Sequence, residues 1–219
     1  DGVSYTFPIG GRTTVFVGDN MDGSTLYNTA CVYGGITNTL DDCGNVESAL
    51  GGGQGTAAGA SFDLGYGFSA AFGYTGAGSS TDGLLTKESQ DAAGAQLTYI
   101  SDSYGISLTY AEVETALGTA YDKSYKAINA YWSPSDPSMP SISIGYEMGD
   151  SEQWWVRNTA AAFIGLQWDE FGPGTLGAAA GTTGHIADNA TETYMYEVFY
   201  SYPLNDSITI TPVVYVKES

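Results

Sequence analysis

The run TETYMYEVFYSY at residues 191–202, the break PLND at 203–206 and the run SITITPVVYVK at 207–217 decide the fold. In the first run Tyr194, Tyr196, Val198, Tyr200 and Tyr202 hold the even positions, and Thr193, Met195, Glu197, Phe199 and Ser201 the odd ones. In the second, Ile208, Ile210, Val214 and Val216 oppose Ser207, Thr209, Thr211, Tyr215 and Lys217. A period of two places each set on one face of a strand. A soluble sandwich also alternates, but it turns aliphatic residues inward and charge outward. An aromatic and aliphatic face opposite a small, neutral one is what lipid rewards. The two runs therefore predict a pair of membrane-spanning antiparallel strands.

Working outward, the same alternation recurs. Phe68, Ala70, Phe72 and Tyr74 oppose Ser69, Ala71, Gly73 and Thr75; Tyr104, Ile106, Leu108 and Tyr110 oppose Gly105, Ser107, Thr109 and Ala111; Ile142, Ile144, Tyr146 and Met148 oppose Ser141, Ser143, Gly145 and Glu147. About twelve strands are expected, over 2–9, 13–19, 56–65, 67–77, 90–101, 104–115, 122–133, 140–149, 156–168, 175–183, 191–202 and 207–218. Short turns alternate with longer Gly/Asp/Ser-rich links near 20–55, 78–89, 116–121, 150–155 and 184–190. This is the rhythm of an all-β, transmembrane, antiparallel up-and-down β-barrel, with one barrel domain over 1–219. Small residues on the inward face predict space for water. Residues 160–164 and 176–180, apolar and small on both faces, predict a contact with another subunit.

Composition narrows the rivals. Of 219 residues 30 are Gly and 17 Tyr, and only 14% are charged, against roughly 25% in soluble domains. No stretch reaches the ~18 apolar residues of a membrane helix, so entry into a bilayer must be by strands. Six Lys and Arg face 25 Asp and Glu, a formal charge of −19. Nucleic acid is excluded as a partner by the lack of a basic track, and inorganic cations are favoured.

The chain opens at Asp1 with no charged and apolar leader before residues 2–9, so a processed or truncated start is expected. Cys31 and Cys43 lie in a polar Gly/Asn/Asp loop. They predict a disulfide, with two free thiols as the alternative, in an oxidising compartment and on a loop outside the barrel. The run from Asp19 to Gly23 carries oxygen ligands but lacks EF-hand spacing, so a turn is the simpler reading than a calcium site. Gly51 to Gly55 lacks the following helix of a phosphate cradle. His185, the sole histidine, would anchor a hydrolase only with a serine in contact. Strand parity gives Asp63, Glu147, Glu197, Thr209, Thr211 and Lys217 as pore-lining candidates. Glu112 and Glu114 share the parity of Tyr110 and belong at a loop base. No cofactor, metal or catalytic residue is called for.

Residues 161–168 (AAFIGLQW), the strand 194–202 and above all 202–212 (YPLNDSITITP) resemble the C-terminal half of cyanobacterial outer-membrane porins. Residues 94–99 (GAQLTY) and 5–9 (YTFPI) fit the same pattern. These are the major, or iron-uptake, porins of the carbohydrate-selective porin superfamily. The resemblance implies a larger barrel of roughly 16–18 strands, of which this chain is the later part. It also implies a preceding peptidoglycan-binding segment, a homotrimer, and contact with membrane lipid and lipopolysaccharide in the outer membrane.

Together these readings predict passive diffusion of small hydrophilic solutes and inorganic ions, iron among them, with carboxylates biasing entry toward cations. A lipase-type barrel enzyme and a secreted β-sandwich adhesin are the alternatives. The first requires a His–Ser contact and the second solubility without detergent.

Overall fold

The computed structural model describes residues 2–37, 40, 42–50, 55–76, 91–114, 122–151 and 155–218. Among these there is no helix, and fourteen strands form one sheet. They are β1 (Val3–Ile9), β2 (Thr13–Met21), β3 (Gly55–Gly65), β4 (Phe68–Gly76), β5 (Asp91–Ile100), β6 (Tyr104–Val113) and β7 (Lys123–Trp132). β8 (Ser141–Ser151), β9 (Thr159–Phe171), β10 (Gly174–Thr182), β11 (Ile186–Ala187), β12 (Tyr194–Asn205), β13 (Ile208–Ile210) and β14 (Val213–Lys217) complete it. Each strand from β1 to β9 pairs antiparallel with the next, β10 pairs with β12, and both β13 and β14 pair with β12. This is the up-and-down, barrel-type order that the alternation predicts.

Every strand but β11 belongs to the predicted set of about twelve, once β13 and β14 are taken as one strand in two pieces. Pro212 has no N–H to give the ladder and interrupts it there. Its carbonyl still accepts from the Tyr200 N–H at 3.1 Å, so the pairing with β12 resumes. The extra strand is β11, which falls in the predicted link 184–190 and folds back on β9 through Ile186 opposite Ala160.

Burial is inverted relative to a soluble protein. In β6, Tyr104, Ile106, Leu108 and Tyr110 are exposed while Gly105, Ser107, Thr109 and Ala111 are buried. In β8, Ile144, Tyr146 and Met148 are exposed while Ser141, Ser143, Gly145, Glu147 and Gly149 are buried. The register holds these sets together: Leu108 faces Ile128 and Leu97, and Ser107 faces Thr98 and Asn129. A one-residue slip would exchange the faces, so the alternation and the pairing specify each other. Exposed aromatic and aliphatic side chains running from strand to strand form the kind of surface that lipid covers.

What buries the polar face is the long link between β2 and β3. The expectation that the Cys31–Cys43 loop stands outside the barrel is corrected here. Residues 22–37 and 42–50 lie across the polar face, touching strands from β4 to β12. The space that small inward residues were expected to leave for water is filled, along this track, by protein. The core is correspondingly small and sits beneath this segment. Tyr33, Leu40 and Cys43 pack with Phe163, Ala179, Met195 and Phe199 in one cluster, and Leu50 packs with Ala92 and Ala111 in another.

Candidate functional site

An irregular segment laid on a sheet brings backbone N–H groups that no ladder satisfies, and each needs an acceptor when buried. The polar face supplies one at nearly every strand. Gly23 N–H donates to Thr75 Oγ1 of β4 (2.7 Å), Asn28 N–H to Gln96 Oε1 of β5 (2.6 Å) and Ala30 N–H to Ser107 Oγ of β6 (3.0 Å). Val32 and Tyr33 N–H both reach Ser143 Oγ of β8, at 3.0 and 3.2 Å, and Gly34 N–H reaches Gln167 Oε1 of β9 at 2.8 Å. The hydroxyl and amide residues at inward parity are therefore a row of docking acceptors.

Two carboxylates fasten the segment at residues 33–37 and 46–48. Glu197 of β12 accepts from Tyr33 OH (2.8 Å) and Ile36 N–H (3.2 Å) through Oε1, and from Thr37 N–H (2.8 Å) through Oε2. Glu147 of β8 accepts from Val46 and Glu47 N–H, both at 3.0 Å, and from Ser48 N–H. His185 Nε2 lies 2.8 Å from the same carboxylate, with its Nδ1 2.8 Å from Thr159 Oγ1 and its ring edge-on to Tyr125. Both glutamates are essentially fully buried. A buried carboxylate is costly unless its oxygens are filled, and hydrogen bonds to a charged acceptor are worth about 1.5–3 kcal/mol each. Burial, the hydrogen bond to Glu197 and that residue's charge push the Tyr33 phenol above its ordinary range. Burial likewise pushes Glu47 up; His185 and Lys123 oppose it and Glu147 adds to it.

The two stretches of the segment are tied to each other, since Cys31 and Cys43 are joined by a disulfide across a Cα separation of 6.5 Å. Asn129 Nδ2 of β7 donates to the Cys43 carbonyl at 2.8 Å. The sheet is cut away to receive the chain. A Cβ on Gly145 would overlap the Cys43 carbonyl oxygen, and one on Gly73 would overlap that of Gly23.

The sequence-predicted candidates divide accordingly. Glu147 and Glu197 are brought onto the polar face and consumed by the segment. Asp63 lies at the turn end of β3, where its Oδ1 accepts from Gly65 N–H at 2.8 Å. Thr209 is exposed opposite Pro203, Thr211 shares a 2.7 Å hydrogen bond with Ser201, and Lys217 is exposed opposite Met195 at the sheet edge. Glu112 accepts from Tyr110 OH at 2.7 Å on the exposed face. Asp22, from the run considered for calcium, accepts from Ser24 N–H and Oγ in a turn. Residues 51–54 lie outside the described residues. His185 meets Thr159, Glu147 and Tyr125, with no hydrogen bond to a serine among the described residues. The docking residues Thr75, Gln96, Ser107, Asn129 and Ser143 were missed one by one. The available signal was the run of inward-facing hydroxyls, amides and glycines on consecutive strands.

Beside the segment, an open cleft of about 300 Å³ remains over β1 to β5. Its walls include Thr14, Ser61, Gln96 and Thr98 from the sheet and Leu26 and Asn28 from the segment, with Arg12 and Asp63 at the turn end.

No family model matches this chain, and no curated protein matches it. Among solved structures, an anion-selective porin from Comamonas acidovorans superposes with a TM-score of 0.62 over 94% of this chain and 74% of that one, at 14% identity. The likeness is one of fold.

Proposed function

We propose that this chain forms the channel of an outer-membrane porin, a passive diffusion pathway for small hydrophilic solutes and inorganic ions whose bore is set by the inward segment. The observation that carries the reading is the inverted burial. An apolar exposed face suits lipid, while a polar face, crossed by a latched segment and bordered by an open cleft, suits an aqueous path narrowed from within. The porin-like fold of the structural neighbour supports it. An enzyme of the lipase type is disfavoured by the surroundings of His185, whose ring is held between a threonine and a carboxylate.

The finer features belong to the same reading. The excess of 25 acidic over 6 basic side chains favours cation entry, opposite to the anion selectivity of the structural neighbour. Asp63, Thr209, Thr211 and Lys217 are the lining positions not used by the segment, while Glu147 and Glu197 act on the bore through it. A larger barrel, a trimer, a peptidoglycan-binding segment, lipopolysaccharide contact, iron among the transported ions and a cyanobacterial source rest on the sequence resemblance alone.

The test is the full-length protein in a planar bilayer under a salt gradient. Discrete conductance steps with a cation-type reversal potential are expected, strongest in dilute salt because screening shortens to about 3 Å at 1 M. Absence of conductance overturns the channel. Anion preference overturns only the charge bias.

A further inference from the structure

The open cleft beside the segment differs from the rest of the polar face because it carries a basic and an acidic side chain, Arg12 and Asp63, that do not fasten the segment. Arg12, in the turn just before β2, lies beside Asp63 of β3, whose N–H donates to the Arg12 carbonyl at 2.8 Å. Both residues line the cleft. Among the described residues the ion pairs are Lys126 with Asp150 and His185 with Glu147. Arg12 and Asp63 are thus adjacent, exposed and not ion-paired with each other. The backbone N–H of Gly65 donates to Asp63 Oδ1 at 2.8 Å, which holds that oxygen toward its own turn.

We propose that this cleft is a subsite for small zwitterions, amino acids above all, with the solute carboxylate on Arg12 and its ammonium on Asp63. The inference rests on the channel reading and deepens it by naming a solute class. A guanidinium presents paired N–H donors that match a carboxylate, whereas an ammonium needs only an anionic acceptor nearby. A volume of about 300 Å³ lies at the small end of ligand sites, which suits a solute of a few heavy atoms. Ser61, Thr98 and the Gln96 amide supply neutral polar groups for the rest of the molecule. One positive and one negative charge favour neither a pure anion nor a pure cation, and a bipolar solute meets both.

Full-length protein in liposomes, assayed by swelling in isotonic solute, tests this with four probes of similar size: serine as zwitterion, erythritol as neutral polyol, glycerate as anion and serinol as cation. Serine flux is expected to exceed erythritol flux roughly two- to five-fold, the range that weak exposed ion pairs allow. In R12Q and in D63N the serine-to-erythritol ratio falls to about one, and R12D turns the preference toward serinol. Equal serine and erythritol fluxes in the unaltered protein overturn the subsite while leaving the channel intact. No flux of any probe overturns both. Because the unaltered protein already decides, poor folding of a variant does not remove the test.

Discussion

The Tyr33 phenol donates a 2.8 Å hydrogen bond to the Glu197 carboxylate across 164 residues of chain, joining the inward segment to the far side of the sheet. Glu147 holds residues 46–48 through three backbone N–H groups. An acid that alternation places in a lumen thus works as a latch, and several consequences can be measured.

Replacing either latch by glutamine puts an NH₂ donor where N–H groups require an acceptor. E197Q and E147Q are each expected to lower stability by about 1.5–3 kcal/mol, read by urea unfolding in detergent. Both are also expected to raise single-channel conductance as the segment loosens. Unchanged conductance in the pair would show that the segment does not limit the bore.

Gly145 is required by proximity, since a methyl group there would overlap the Cys43 carbonyl oxygen. G145A is expected to cost about 1–3 kcal/mol, as overpacking does. Gly11, with nothing near its missing Cβ, provides the control. Equal melting temperatures for G145A and G11A would mean that the segment does not seat as described.

The Cys31–Cys43 disulfide ties the two stretches of the segment to each other. By the chain-entropy model a loop of this size is constrained by about 3 kcal/mol. Reduction, or the paired change to serine, is expected to speed cleavage by added protease between residues 31 and 43 while the strands stay protected. Protection that is the same in both redox states contradicts this.

Docking of residues 46–48 should depend on pH through Glu47. Burial raises its pKa, so the folded chain holds the proton more tightly than the unfolded chain. Its contribution is full below the ordinary carboxylate range and is lost as pH rises through the raised value. Proteolytic protection of this stretch is expected to be greater at acidic than at neutral pH, and E47Q is expected to flatten the dependence. A profile that E47Q leaves unaltered would assign the effect to another group.

The exposed apolar face is testable at Leu108, midway along β6. An arginine facing lipid near the bilayer midplane costs about 2–4 kcal/mol. L108R is expected to fold into bilayers less stably by this amount, and a substitution tolerated without loss would place that face in water.

The residues themselves determined the strands, their order and their two faces. Alternation with a period of two is a local property, and neighbours in an up-and-down sheet are neighbours in sequence. Hence Tyr196 and Glu197 separate onto opposite faces as read, and the twelve expected strands appear with only the Pro212 interruption and the added β11. Pairing of the two cysteines was legible for the same reason, because they lie close along the chain. The course of residues 22–37 and 42–50 was not. It has no periodicity, and its partners, from Thr75 to Glu197, are scattered along the chain in an order fixed only when the sheet brings their hydroxyls, amides and carboxylates onto one face. A carboxylate at inward parity reads alike whether it meets water or three buried N–H groups; only the folded chain, by delivering those N–H groups, made Glu147 and Glu197 latches.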